Sequence, residues 1–103
     1  MIDKIFEEIR AERIRQHEKW GEQNHPMLPE TVKKENLAAR LKQIRTFNDE
    51  SIWSSWYSIL GEEVLEAFLE ESSVKQREEM VQVAAVAVQI IEYLDRTLKK
   101  EAA

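Results

Sequence analysis

The sequence predicts an all-α fold, and three observations carry the prediction. Helix breakers are confined: Gly21, Pro26, Pro29 and Gly61 are the only glycines and prolines in 103 residues, and three of them crowd into GEQNHPMLP. Outside that stretch apolar residues recur three and four positions apart, the period of a helix with one buried face. No segment alternates apolar and polar residues as a half-buried strand does. At 43% hydrophobic and 34% charged, a chain of this length suits one small soluble domain, residues 1–103, arranged as a four-helix bundle-like fold.

The first helix is expected over residues 2–19, where Ile2, Ile5, Phe6 and Ile9 share a face, and GEQNHPMLP follows as a loop. Residues 31–46 carry Leu37, Leu41 and Ile44 in the same way. TFNDES then offers Asn48, Asp49 and Ser51 as N-caps for a third helix from about Ile52 to Glu71. On that helix Trp53, Trp56, Tyr57, Leu60, Val64 and Phe68 form one apolar stripe, and Gly61 is tolerated mid-helix at a cost of roughly 1 kcal/mol relative to alanine. SSVKQ turns the chain into a fourth helix from about Val74 to Lys99. Across VQVAAVAVQII the apolar positions cover more of the circumference than a helix with one solvent face needs, so packing on two sides is expected. The alanines and valines from 84 to 88 admit a close neighbour, and a homo-oligomer sharing one bundle core, a homodimer in the simplest case, supplies it.

Several function classes fall away. With no cysteine there is no disulfide scaffold, no thiolate zinc site and no thiol catalysis. VAAVAV, the longest apolar run, is far too short to span a bilayer, and no apolar signal segment precedes the first acids, so a cytoplasmic protein without membrane partners is expected. Net charge is −5 and disfavours duplex nucleic acid as a partner. That charge is unevenly spread: Lys33, Lys34, Arg40, Lys42 and Arg45 face a single acid between residues 33 and 45, whereas residues 62–71 hold five acids and no base. The first segment suits phosphate, the second a cation, and a pair of solvated helix faces is the plainer alternative.

ILGEEVLEAFLE, residues 59–70, places Glu63 beside the apolar stripe with Glu66 further round. Carboxylates near a packed surface need compensation. Glu63 and Glu66 are three apart, so they lie on adjacent turns and can converge on one ion, and Glu79 and Gln82 repeat the spacing on the fourth helix. Antiparallel helices with a short connection bring the pairs opposite each other. Three carboxylates and an amide oxygen make a hard oxygen cage of the kind Mg²⁺ or Mn²⁺ prefers.

EEVLE at 62–66 and EMVQ at 79–82 together resemble the paired acidic motifs, EExxE and ExxD, of the MazG-like all-α nucleoside triphosphate pyrophosphohydrolases. ERIRQHEKWGEQNHP at 12–26 is similar to the N-terminal signature of a small bacterial and phage branch of that superfamily, and EEMVQVAAVAVQIIEYLDR to its last helix. The likeness covers most of the chain, with residues 30–50 unmatched. It implies a MazG-type bundle, and cleavage of an NTP or dNTP between its α and β phosphates to give monophosphate and pyrophosphate.

By the same resemblance Glu63, Glu66 and Glu79 are metal ligands for Mg²⁺, with Mn²⁺ as a substitute. Gln82 stands where the family has aspartate. An amide oxygen still coordinates but brings no charge, so metal affinity falls unless Glu62, Glu70 or Glu78 substitutes. Glu66 or Glu63 is the carboxylate that positions the attacking water. Lys19, with Lys33, Lys34, Arg40 or Arg45, supplies positive charge for the phosphates. Trp20 and Asn24 in the signature segment, and Trp56 at the start of the metal helix, are the candidate readers of the base, although packing competes for Trp53 and Trp56. His17 and His25 are expected at the surface. Two other functions stay open: a non-catalytic or weakly active nucleotide-binding homologue, which Gln82 suggests, and a ligand-free helical interaction module.

Overall fold

Four helices account for all regular structure among the described residues, α1 (Ile2–Trp20), α2 (Lys34–Asp49), α3 (Trp56–Leu69) and α4 (Ser73–Ala102). The computed structural model describes residues 2–50 and 54–103. Ser51, Ile52 and Trp53, read above as an N-cap and the start of the third helix, lie outside the described residues.

Each helix end has a local cause. α1 begins with Asp3 in its first turn, favourable at the positive end of the helix dipole, and carries His17 and Lys19 in its last. It stops at Gly21, whose φ of 67° lies in the left-handed region open to glycine, and the Gly21 amide closes onto the His17 carbonyl at 2.7 Å. α3 starts at a reciprocal capping box. The Ser58 amide donates to Ser55 Oγ at 3.1 Å, and the Ser55 amide donates to Ser58 Oγ at 2.8 Å. α4 is capped by Ser72, whose Oγ accepts from the Lys75 amide at 3.2 Å.

Two expectations for the third helix are corrected. It starts at Trp56 behind Ser55; Asn48 and Asp49 belong to α2, which continues through them. Tyr57 is 74% exposed and leaves the apolar stripe, while Trp56, Leu60, Val64 and Phe68 are half-buried. The buried positions of α3 are Ser58 and Ala67; Ser58 lies on the side that packs on α2, where it bonds Asn48, and Ala67, nine residues on, lies on the opposite side of the helix. Gly61 is part of that contact: a Cβ there would lie 3.3 Å from Ile44 Cδ1, tighter than ordinary packing. Its absence offsets the helix penalty by letting the two backbones approach.

The chain divides into two compact units, Met1–Pro26 with Val88–Ala103, and Met27–Ala87. In the first, Ile5 and Val88 are buried; in the second, Leu41, Ile44 and Ala67. Along α4 Val88 is the buried residue, and Val81, Leu94 and Leu98 are exposed. Among the described residues no helix is long and apolar enough to cross a membrane.

Candidate metal centre

The second unit contains every acid of the expected cage. Glu63 and Glu66 project from consecutive turns of α3, and the three-residue connection from Glu70 to Ser72 returns the chain so that Glu79, two turns into α4, comes beside them. One carboxylate oxygen from each of the three lies within 4.8 Å of the others, and all three residues are half-buried. An octahedral Mg²⁺ shell is roughly 4 Å across, so these oxygens would draw closer together to share one ion.

The partners of these oxygens are unequal. Arg45 Nη2 donates to Glu66 Oε1 at 3.1 Å, an ion pair with its cation half exposed. Glu63 Oε2 and Glu79 Oε2 are buried with no hydrogen-bond partner. A buried carboxylate oxygen without a donor is costly, since water that would solvate it has been removed and nothing replaces it.

Electrostatics express the same imbalance. The Glu63 carboxyl is pushed above its ordinary range, chiefly by burial and then by the negative charges of Glu66, Glu79 and Glu62. Glu66 is also raised, again chiefly by burial; the Arg45 hydrogen bond and charge oppose the shift, while Glu62 and Glu79 add to it. Two species relieve such a cluster, protons or a cation. The donor set is oxygen only, it is anionic, and two of its oxygens are orphaned, which fits a hard divalent ion.

Beside the cluster runs a second polar arrangement, one the sequence reading missed. Asn48 Nδ2 donates to the Ser58 carbonyl at 3.1 Å and to Glu62 Oε1 at 2.8 Å, and Ser58 Oγ donates to Asn48 Oδ1 at 2.7 Å. Ser58 is 5% exposed. Both partners of Nδ2 are acceptors, so the amide orientation follows from the network. Asn48 therefore fastens the end of α2 to the start of α3 and holds Glu62 next to the acidic cluster. The sequence signal was there: Asn48 stands four residues beyond Ile44, in phase with Leu37, Leu41 and Ile44, so it had to face what that stripe faces.

Gln82, one turn beyond Glu79, is exposed where Glu79 is half-buried. Trp56 opens α3 and is half-buried in the same unit as the acids. Lys19, Trp20 and Asn24 belong to the first unit. There Lys19 Nζ sits 4.8 Å from the centroid of the exposed Trp20 ring, a cation–π contact, and Asn24 Nδ2 donates to Glu22 Oε2 at 3.2 Å. His17 and His25 are both exposed, as expected. Of the four bases left open for the phosphates, Lys33, Lys34 and Arg40 are also exposed, and Arg45 is the one paired with the cluster.

Comparison of the chain with protein-family models finds no match, and comparisons with curated proteins and with solved structures find none either.

Proposed function

We propose that this protein is a divalent-cation-dependent nucleoside triphosphate pyrophosphohydrolase of the MazG-like kind, cleaving an NTP or dNTP to monophosphate and pyrophosphate. The observation that supports the reading is the convergence of Glu63, Glu66 and Glu79, two of them with buried oxygens that no protein group satisfies. In this reading those three residues hold Mg²⁺ or Mn²⁺, with the Gln82 amide at the solvent edge. The ion, when bound, neutralises phosphate charge and makes a coordinated water more acidic. Glu66 or Glu63 orients the attacking water and accepts its proton. A base of α2 offsets charge on the phosphates, and Trp56 contacts the nucleobase. The exposed apolar side chains of α4 support a bundle completed by a second or further copies, a homodimer or homotetramer, acting in the cytoplasm.

A second reading, nucleotide binding with little or no turnover, is favoured by one observation. Gln82 is both neutral and exposed, so the fourth position of the cage adds no charge.

A pyrophosphate-release screen against the common ribo- and deoxyribonucleoside triphosphates, with Mg²⁺ and with Mn²⁺, separates the two. Release from at least one substrate, abolished by chelation, is the expected result. Cation-dependent nucleotide binding without release selects the second reading. Absence of any thermal shift with cation and nucleotide together contradicts both and leaves a ligand-free helical module.

A further inference from the structure

We propose that Arg45 couples the two ligands of this site, opposing the divalent cation when it arrives alone and favouring it when it arrives with a phosphate-bearing anion. The inference rests on the metal-site reading above and extends it to a residue of α2.

Glu63, Glu66 and Glu79 bring one oxygen each within 4.8 Å of one another, and Arg45 is paired with Glu66 of that cluster. It holds Glu66 Oε1 through one nitrogen, Nη2, at 3.1 Å. A cation that claims Glu66 must therefore displace a positive group, or bind beside it and be repelled.

The same contact leaves the rest of the guanidinium fork unspent. The Arg45 side chain is 52% exposed, against 22% for Glu66, so solvent reaches the guanidinium more freely than it reaches the carboxylate. A planar fork released next to a cation is suited to bidentate contact with phosphate oxygens. Arg45 is thus a stand-in for the ion in the free protein and a phosphate ligand in the filled site. Because binding linkage is reciprocal, the anion strengthens the cation as much as the cation strengthens the anion, and Arg45 carries part of that coupling.

The test measures Mn²⁺ binding alone, then inorganic triphosphate binding at saturating Mn²⁺, by calorimetry on the wild type, Arg45→Gln and Arg45→Lys. Unfolding in chelator confirms that each variant is folded. Arg45→Gln should bind Mn²⁺ alone about 3- to 10-fold more tightly, because a repelling charge and a competitor for Glu66 are gone. It should bind triphosphate roughly 10-fold or more weakly, having lost charge-assisted hydrogen bonds. Arg45→Lys keeps the charge without the fork, so its Mn²⁺ affinity should stay near wild type while triphosphate weakens. Weaker or unchanged Mn²⁺ binding by Arg45→Gln overturns the proposal, making Arg45 a holder of Glu66 or a bystander; unchanged triphosphate binding overturns it equally. A wild type that binds no Mn²⁺ even with triphosphate present contradicts the metal site itself, and the proposal falls with it.

Discussion

Along the seam between α2 and α3 the half-buried polar groups have protein partners: Asn48 answers Ser58 and Glu62, and Arg45 answers Glu66. At the corner where α4 returns to α3, a turn away, Glu63 Oε2 and Glu79 Oε2 have none. One helix serves both regions, so the difference is not one of local propensity. The seam is a solved packing problem whose polar groups are consumed in holding two helices together. The corner carries the same residue type at similar burial without donors, which leaves its carboxylates open to the ion proposed above.

The largest effect expected from this contrast is on catalysis. Glu63→Gln or Glu66→Gln keeps the side chain's size and removes one charge of the cluster. Pyrophosphate release should fall by at least about 100-fold, near 2.7 kcal/mol in barrier height. The exposed Glu101→Gln should be silent. Retention of activity in Glu63→Gln would place the chemistry elsewhere.

Breaking the seam should cost stability and spare the corner. Asn48→Ala deletes the side-chain bonds to Ser58 and Glu62, leaving half-buried partners short of hydrogen bonds. A loss of about 1 to 3 kcal/mol is expected in denaturant unfolding, with the Mn²⁺ response retained. If the variant instead unfolds like wild type but no longer responds to Mn²⁺, the separation of seam from corner is wrong.

A smaller signature lies in pH. Glu63 and Glu66 take up protons in the folded chain above the ordinary carboxylate value of 4.5. The folded state therefore binds more protons than the unfolded state just above 4.5, and the contribution of these two groups to stability falls as pH rises through their raised values. Unfolding followed in chelator should show this decline towards neutrality and a plateau from these groups below 4.5. In Glu63→Gln the decline should be shallower. Saturating Mg²⁺ should cancel or reverse it, because the ion competes with protons for the same oxygens.

Much of this was legible in the sequence, for physical reasons that also mark the limit. The helices were readable because their apolar period and the cluster of breakers agree: residues 2–19 were expected where α1 runs Ile2–Trp20, and 74–99 where α4 runs Ser73–Ala102. Glu63, Glu66 and Glu79 were found together because three-residue spacing and a short connection leave acids on facing helices little choice. The start of α3 was misread because Asn48 and Asp49 have cap chemistry while lying inside α2, and a composition of good caps does not say which one is used. Tyr57 was misassigned since the stripe was chosen by apolarity, whereas close approach at Gly61 and Ser58 decided which face of α3 meets α2. The seam itself was hidden: its bonds join residues as far apart as Arg45 and Glu66, 21 positions, and no local pattern encodes such pairs.

Unfolding of the wild type and of Glu63→Gln with chelator or with Mn²⁺ tests most directly whether the orphaned oxygens of Glu63 and Glu79 take a divalent cation. The wild type should gain stability with Mn²⁺, approaching about 2.7 kcal/mol at a hundredfold excess over the dissociation constant. Glu63→Gln should be at least as stable as wild type in chelator, since like-charge repulsion is relieved, and should lose most of the gain. A wild type indifferent to millimolar Mn²⁺ and Mg²⁺, or a Glu63→Gln variant stabilised as fully as its parent, would show that the corner is filled by protons and water and holds no metal.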